Sequence, residues 1–560
     1  MTSLGEALER REGRLSRPTP GEPHSREAKA FAEKMARSII EVEKSINSVA
    51  DIAILLEVSG ITKEDLERYG FVDVYDLALY VSRFIDFYEA REEDEAETNA
   101  PFLNEIPSRR RRVMESLAMT FPWSGALALL SVTGVSLWMV SGLPPGYTTA
   151  LMIGVFLGIV VSEGPMATFH RLFLLNLSQL NTCEAKRTVR RNFYFTSLLL
   201  GASAFFLLLF GYLVHIPINL LLVSFVALAT ISLHRASYMI LYAMKKIGHM
   251  VLSYSLALAL LLSIYYLGSG AISDASSRYL VALGAAFLWL SVNAYYAHHR
   301  LFRRVAREEG EVPHFYRTPS TDEYTLKARV TVQMLEALPY YAFGIFFFAM
   351  MFGDRVVSWI FNPALAQVGS LPMQFNAAYH AGADPATLVF FVTSIVQYVM
   401  MAPVYMEVTN LSLTLGIKQV GGVDEFLRKR YGRLMLATIV TSCCAAFGLN
   451  LLGPSLMPVL QGSPVSSTIL EVASIGNIFL SIFVANSMFG MFMNRIRAFA
   501  ITAFAATVIL GLGGFALAQG GFQNVVYAYL VAAAVSAVSS TAYITRAIRR
   551  ASSIFFARFA

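Results

Sequence analysis

The sequence predicts an all-α membrane protein whose twelve transmembrane helices form two six-helix parallel repeats. Three observations predict this class: the composition, the alternation of charge between successive loops, and an internal repeat. Hydrophobic residues make up 55% of the 560 residues, and charged residues only 15%. An average soluble protein is about 25% charged. This chain has too few charges to cover a folded surface in water, so lipid is predicted to be part of its solvent.

Twelve apolar segments follow the basic run that ends at Arg112. Each is close to the roughly 20 residues that a bilayer crossing requires. Several are rich in Gly, Ala and Ser, which suits close packing of helices in lipid. The predicted spans are 117–140, 147–170, 193–214, 217–240, 249–268, 279–298, 333–353, 386–411, 433–452, 467–490, 498–518 and 523–545.

The loops between these segments alternate between strongly basic and weakly charged. The basic set includes RRRR, EAKRTVRR, HHRLFRRVAREE and the C-terminal RAIRR. The weakly charged set includes the 353–386 loop, with Arg355 as its single Lys or Arg. Because cytoplasmic loops are enriched in Lys and Arg, both termini are predicted to be cytoplasmic. The predicted location is the plasma (inner) membrane, crossed many times.

Three groups of residues in the first half match residues in the second half. The offset between matched residues rises in chain order, as insertions would produce. Because six crossings return the chain to its starting side, the two halves are predicted to be a parallel repeat. The matches include Pro122 with Pro339, Pro165 with Pro403, Arg190 with Arg428, and Lys246 with Arg495.

The residues before the first segment are polar and are predicted to lie in the cytoplasm. Apolar residues recur at helical spacing in this region, which indicates soluble helices. Thr62 is predicted to cap one of them, because acidic residues follow it in TKEDLERYG. The predicted domains are a disordered 1–28, a soluble helical domain 29–105, a first lobe 106–300, a cytoplasmic linker 301–330 and a second lobe 331–560.

Polar residues inside the apolar segments are the candidate cargo-binding or ion-binding residues. Such groups are costly in lipid and usually face a cavity or a partner. The candidates are Glu163, His234, Arg235, Glu336, Glu407 and Asn486. For Glu336, simple pairing with a nearby arginine is an open alternative. Pro122, Pro165, Pro339 and Pro403 are predicted to kink their helices and to free a carbonyl each, serving either gating or packing.

No catalytic signature is present. The sequence lacks G-x-x-x-x-G-K-[ST], H-E-x-x-H and G-x-S-x-G. Its three cysteines, Cys183, Cys443 and Cys444, form no C-x-x-C pair. The prediction is therefore a protein that is not an enzyme and that uses no cofactor and no metal.

Two stretches of the second half carry a family resemblance: Val404-Tyr405-Met406-Glu407-Val408-Thr409, within residues 355–431, and NSMFGMFMNRIRAFAITAFAATV in the C-terminal part. They resemble the PelG family of exopolysaccharide transporters. Val408 separates the Glu from the Thr, and the first half of the chain matches less closely. The resemblance implies the multidrug/oligosaccharidyl-lipid/polysaccharide (MOP) exporter superfamily, with a two-lobed bundle of six plus six helices.

The leading hypothesis is export or flipping of a polysaccharide or lipid-linked glycan by alternating access between the two lobes. One alternative is an ion-coupled antiporter of small molecules, of the multidrug or major-facilitator type. Another is a non-transporting membrane scaffold of a polysaccharide synthase complex. The expected partners are membrane lipid, the glycan, a cytoplasmic glycosyltransferase with other synthase subunits, and H⁺ or Na⁺ as a coupling ion. No nucleic acid is expected.

Overall fold

In the computed structural model of the protein, most of the chain from Arg26 onward is described. The described residues are 26–42, 49–59, 61–71, 73–82, 84, 108–135, 143–178, 182–243, 246–308, 323–364, 372–414, 421–456 and 464–549. They are almost entirely helical, and no strand occurs among them. The predicted fold class is therefore confirmed.

Fifteen helices are named here. The three before the apolar region are α1 (Arg26–Val42), α2 (Val49–Val58) and α3 (Lys63–Tyr69). The first lobe contains α4 (Arg109–Thr133), α5 (Pro145–Ser178), α6 (Thr182–Val214), α7 (Ile218–Ala243), α8 (Ile247–Leu267) and α9 (Ala275–Glu308). The second lobe contains α10 (Glu323–Ile360), α11 (Ala377–Thr414), α12 (Gly421–Leu456), α13 (Pro464–Phe492), α14 (Ile496–Ala518) and α15 (Val525–Ile548).

The helices α4 to α15 coincide one for one with the twelve predicted spans. Eleven helices in the described part of the chain, α5 to α15, are long and apolar enough to cross a membrane. The remaining helix, α4, begins with four arginines and ends at a left-handed glycine, Gly134. The last part of its predicted span lies in 136–142, outside the described residues. Large apolar side chains such as Phe205, Phe206 and Leu213 point outward, as expected for a multi-pass membrane protein.

The predicted bounds of the 353–386 loop are wrong at both ends. Helix α10 continues to Ile360, α11 already begins at Ala377, and Arg355 therefore lies inside a helix. The charges of Asp354, Arg355 and Asp384 lower the hydropathy of these turns, which made them look like a loop. They pair with one another inside the bundle, so the helices continue without exposing charge to lipid.

The same contact joins the second and fourth helices of each lobe. In the first lobe, a Cβ on Gly154 of α5 would lie 2.2 Å from the carbonyl oxygen of Ser224 on α7. In the second lobe, a Cβ on Gly382 of α11 would lie 2.3 Å from the carbonyl oxygen of Ser466 on α13. Only glycine permits backbones to approach this closely. The shared contact supports the internal repeat.

The two serines strengthen this correspondence. Ser224 donates its hydroxyl to the carbonyl of Ala150 at 2.6 Å, and Ser466 donates to the carbonyl of Ala378 at 2.9 Å. Each acceptor lies four residues before the glycine of its own helix.

The shared contact also revises one predicted match. Pro165 lies 165 − 154 = 11 residues after its glycine, whereas Pro403 lies 403 − 382 = 21 residues after the corresponding one. The two prolines therefore occupy different heights in their lobes.

Two compact units divide the chain: Met1–Ile106 with Met406–Gly421, and Pro107–Tyr405 with Gly422–Ala560. In the first unit, α1 to α3 and the following helical turns share a hydrophobic core of their own. One face of α1 contributes Ala28, Ala32 and Ala36 to it, spaced four residues apart. Such spacing lines up small side chains on one side of a helix, which lets the next helices pack closely.

The predicted cap at Thr62 is confirmed. Asp65 donates its amide to the Thr62 hydroxyl, and Thr62 donates its own amide and hydroxyl to the Asp65 carboxylate. Hydrogen bonds from Thr62 lower the pKa of Asp65 below its ordinary value. A carboxyl with a lowered pKa stabilises the fold at pH values above its unfolded-state pKa of about 4, and this contribution is lost as pH falls through the lowered value.

We expect Thr62→Ala to destabilise the start of α3 by about 1 kcal/mol, because an orphan helix amide loses its acceptor. Hydrogen exchange measured by mass spectrometry on the full-length protein should be several-fold faster in 62–70. Thr62→Ser, which keeps the hydroxyl, is the control and should exchange like the wild type. Equal exchange in Thr62→Ala and the wild type would contradict the capping role.

Candidate functional site

A cavity with about 660 Å³ of empty space lies between the two lobes. Four helices line it, α4 and α5 from the first lobe and α10 and α11 from the second. Most of its wall is apolar, and the aromatic rings in it are Trp123, Phe156, Phe352 and Phe391. A concave, largely apolar site with a few clustered polar groups is the usual form of a small-molecule site, so this cavity is the candidate functional site.

The polar part of the wall is built around Arg355 of α10. Its Nε donates to Asp384 Oδ1 at 2.8 Å, and its Nη1 donates to the neighbouring Asp354 Oδ1 at 3.0 Å. Its Nη2 donates to the carbonyl of Ala383 at 2.8 Å. The guanidinium thereby joins α10 to the first turns of α11. Arg355 and Asp354 are fully buried, and the Asp384 side chain keeps 22% of its surface exposed.

The network continues through His380, four residues before Asp384 on the same face of α11. Trp359 Nε1 donates to His380 Nε2 at 2.9 Å, and His380 Nδ1 lies 2.8 Å from Asp384 Oδ2. Because the indole is only a donor, Nε2 must be the acceptor, and the proton of a neutral ring lies on Nδ1. Nδ1 is therefore the ring nitrogen through which His380 donates to Asp384.

The cluster holds two carboxylates against one guanidinium. Asp354 is satisfied internally, since it also accepts from the Tyr379 hydroxyl at 2.8 Å. Asp384 is the carboxylate that meets the cavity. Chemically, its position allows it to accept hydrogen bonds from hydroxyl or ammonium groups, to bind a monovalent cation, or to take up a proton.

Glu163 and Arg235, both predicted site residues, form an ion pair between α5 and α7. The Arg235 guanidinium carbon also lies 5.5 Å from the ring centroid of Trp123 and 5.3 Å from that of Phe348. Trp123 in turn lies 6.2 Å from Phe391, with the ring planes nearly parallel. The Trp123 ring thus lines the cavity and also contacts Arg235 of the ion pair.

The other predicted residues lie away from the cavity lining. His234 is buried in the first lobe, where its Nε2 lies 2.7 Å from the Tyr254 hydroxyl. Glu336 is exposed on α10. Asn486 is buried in the second lobe, accepting from Tyr431 and donating to two hydroxyls on α15. Glu407 belongs to the first compact unit. All four predicted prolines lie inside helices, in α4, α5, α10 and α11.

Sequence reasoning missed Asp354, Asp384, His380 and Trp123. A signal for two of them was present, because His380 and Asp384 are four residues apart and would share a helix face. In a loop, as predicted for 353–386, a spacing of four residues does not place two side chains on one face. Trp123 carries no charge, and a sequence alone does not separate it from the aromatic residues at membrane interfaces.

The two lobes contact each other where α5 of the first lobe packs against α10 of the second. A Cβ on Gly164 of α5 would lie 2.6 Å from the Tyr341 ring, and one on Gly344 of α10 would lie 3.1 Å from Glu163 Cγ. Toward the opposite end of α5, Phe375 donates its amide to Thr149 Oγ1 at 2.9 Å. Inter-lobe contacts therefore lie on both sides of the stretch of α5 that lines the cavity, residues 152–159.

The fold is similar to that of solved transporter structures. A multidrug resistance MATE family transporter of the MOP superfamily, in an outward-facing conformation, matches with a TM-score of 0.53 and 14% identity, over 80% of this chain and 97% of that one. The eukaryotic MATE transporter AtDTX14 matches with a TM-score of 0.53 and 14% identity, over 80% and 98%. The chain has the fold of these transporters.

A MOP superfamily transporter from Pyrococcus furiosus matches in the same way, with a TM-score of 0.52 and 15% identity over 80% of this chain and 97% of that one. No protein-family profile matches the sequence, and no curated protein matches it. What this chain shares with the MATE structures is thus the fold, twelve helices in two lobes. The charged cluster around Arg355 is a feature of this chain.

We expect Arg355→Met to lower the free energy of unfolding by about 3–5 kcal/mol, because the buried carboxylate of Asp354 and the partly exposed one of Asp384 lose their shared cation. Adding Asp354→Asn to that variant should recover part of the loss, since the carboxylate with no exposure becomes neutral. Thermal unfolding of the purified protein measures both effects. Lys429→Met, which removes a solvent-exposed ion pair with Glu425, is the control. A further loss on adding Asp354→Asn would contradict the argument.

We expect Gly164→Ala to destabilise the protein by about 1–3 kcal/mol through overpacking against Tyr341. Tyr341→Ala in the same chain should relieve the clash and recover stability relative to Gly164→Ala alone. Gly201→Ala on α6 is the matched control, because nothing lies within 4 Å of its added Cβ. Melting temperatures of the four proteins test this, and equal values for the Gly164 and Gly201 variants would refute it.

Proposed function

We propose that this protein is a MOP-type transporter that exports or flips a polysaccharide or lipid-linked glycan across the plasma membrane. The observation that carries the proposal is the cavity between the lobes, with its aromatic wall and the Arg355 cluster on one side. The fold shared with MATE transporters supports transport by alternating access, in which two lobes open a common cavity to either side in turn.

The chemistry of the cavity suits sugar rings. A pyranose ring has an apolar face, which packs on aromatic rings, and a rim of hydroxyls, which need hydrogen-bond partners. Trp123, Phe352 and Phe391 offer rings, while Asp384 and Thr387 offer polar atoms on the second-lobe side. The resemblance of the second half to the PelG family points to the same cargo class.

Coupling to an ion gradient is part of the proposal. Asp384 is the carboxylate that meets the cavity while it holds both Arg355 and His380. Taking up a proton or a sodium ion there would change the charge that these partners face. A change of charge at this position would alter the contacts between α10 and α11 in the cavity wall. Ion binding would in this way be coupled to movement of the lobes.

A second candidate is extrusion of small molecules, because structural neighbours include a multidrug resistance transporter and the cavity is mostly apolar. The two candidates predict different phenotypes. A glycan exporter is needed for secreted polysaccharide and leaves drug tolerance unchanged when deleted. A multidrug exporter gives the opposite result. The scaffold hypothesis predicts that secretion depends on the protein but not on its cavity residues.

We expect Trp123→Ala and Asp384→Asn each to reduce glycan secretion at least about tenfold, the effect of losing roughly 1.4 kcal/mol of cargo interaction. Secretion is compared at equal membrane levels of protein, and Arg235→Ala is tested alongside. Phe205→Ala, on an outward-facing side chain, is the control and should secrete normally. Normal secretion in the deletion strain would overturn glycan export. Secretion that depends on the gene but survives both cavity substitutions would favour the scaffold.

A further inference from the structure

Pro403 in α11 leaves one helix carbonyl without its usual donor. In an α-helix the amide of residue i donates to the carbonyl of residue i−4, and proline has no amide hydrogen. The carbonyl affected by Pro403 is that of Val399. Pro403 lies within α11, three turns before its end at Thr414, so the missing bond is inside the helix and not at its end.

The first lobe supplies the missing donor. Arg112, in the first turn of α4, donates from Nη1 to the carbonyl oxygen of Val399 at 3.0 Å. One turn later along α4, Ser116 donates its hydroxyl to the carbonyl of Ile395 at 2.9 Å. The two bonds run in step, because Ser116 follows Arg112 by four residues and Ile395 precedes Val399 by four. Helices α4 and α11 are thus aligned antiparallel at this end.

A buried carboxylate between these two bonds adds to the contact. Glu115, 3% exposed, accepts from Arg111 on its own helix at 3.1 Å and from the Tyr398 hydroxyl of the second lobe at 3.3 Å. All of these contacts lie at the end of the lobes where the basic loops are. A guanidinium is well suited to the Val399 carbonyl, because a charged donor forms a stronger hydrogen bond than a neutral one.

We propose that Arg112, the Val399 carbonyl and Pro403 form a clasp that holds the two lobes together at the end with the basic loops. The role of Pro403 in the clasp is to leave Val399 without a partner in its own helix. The carbonyl then has the charged Arg112 donor only when the lobes are closed at this end, so the contact favours the closed arrangement over the open one. This inference rests on the proposed alternating access, since it assigns the clasp to one of the two states.

The clasp and a purely structural proline make different predictions. If Pro403 only bends α11, removing Arg112 has the same effect whether or not the proline is present. In the clasp, Pro403→Ala introduces an amide that can donate to Val399 within the helix. Arg112 then loses its role, and its substitution should have little further effect. A double-mutant cycle separates these cases.

The experiment measures the distance between the lobes. Spin labels are attached through Arg190→Cys on α6 and Arg428→Cys on α12, both exposed positions, after Cys183, Cys443 and Cys444 are changed to serine. Distances are recorded by pulsed electron paramagnetic resonance on the full chain in lipid nanodiscs. No glycan is added, so the result does not depend on identifying the cargo. The distance measurement tests the clasp, and the secretion assay tests glycan export. Failure of one proposal can therefore be told apart from failure of the other.

We expect Arg112→Ala to raise the ratio of wide to narrow distances about tenfold, while Arg112→Lys, which keeps a donor, has a smaller effect. Arg110→Ala, at a neighbouring exposed arginine, should leave the ratio unchanged. In the Pro403→Ala background, Arg112→Ala should shift the ratio less than twofold. An unchanged ratio in Arg112→Ala, or an equal shift in both backgrounds, would overturn the clasp.

Discussion

The ion pairs of Arg355 with Asp354 and Asp384 are the interaction on which the cavity depends. A charge in the apolar part of a membrane protein is costly unless it has a partner. Here one guanidinium satisfies two carboxylates and a backbone carbonyl, and so fixes the end of α10 against the start of α11. The Phe352 ring, which lines the cavity, packs against the same guanidinium, whose carbon lies 5.2 Å from the ring centroid.

The two lobes repeat one packing motif but differ in their chemistry. Both join their second and fourth helices through a glycine and a serine, at Gly154 with Ser224 and at Gly382 with Ser466. The ionisable groups that line the cavity all come from the second lobe, whereas the first lobe contributes apolar and aromatic side chains. The two lobes therefore share a packing geometry without sharing the chemistry of the cavity wall.

The fold was predictable because its signals are spread over long segments. Apolar runs of about 20 residues and loop charges identify each crossing independently, and a mistake of several residues at a helix end leaves the count unchanged. The site was harder to predict because its charges reduce the hydropathy of the segments that carry them. Asp354 and Arg355 therefore looked like loop residues, and only the partner Asp384 explains why they lie in a helix. By contrast, depth in the membrane alone makes Glu163 and Arg235 candidates, whereas their pairing with each other follows only from the packing of α5 on α7.

The different heights of Pro165 and Pro403 have a mechanical consequence. A helix bends most easily where a proline interrupts its hydrogen bonds. Measured from the matching glycines, the two prolines differ by ten residues, or roughly 15 Å of helix rise. If α5 and α11 bend at these prolines, the segments beyond the two bending points differ in length. For the same bending angle, the end of one lobe would then travel farther than the end of the other.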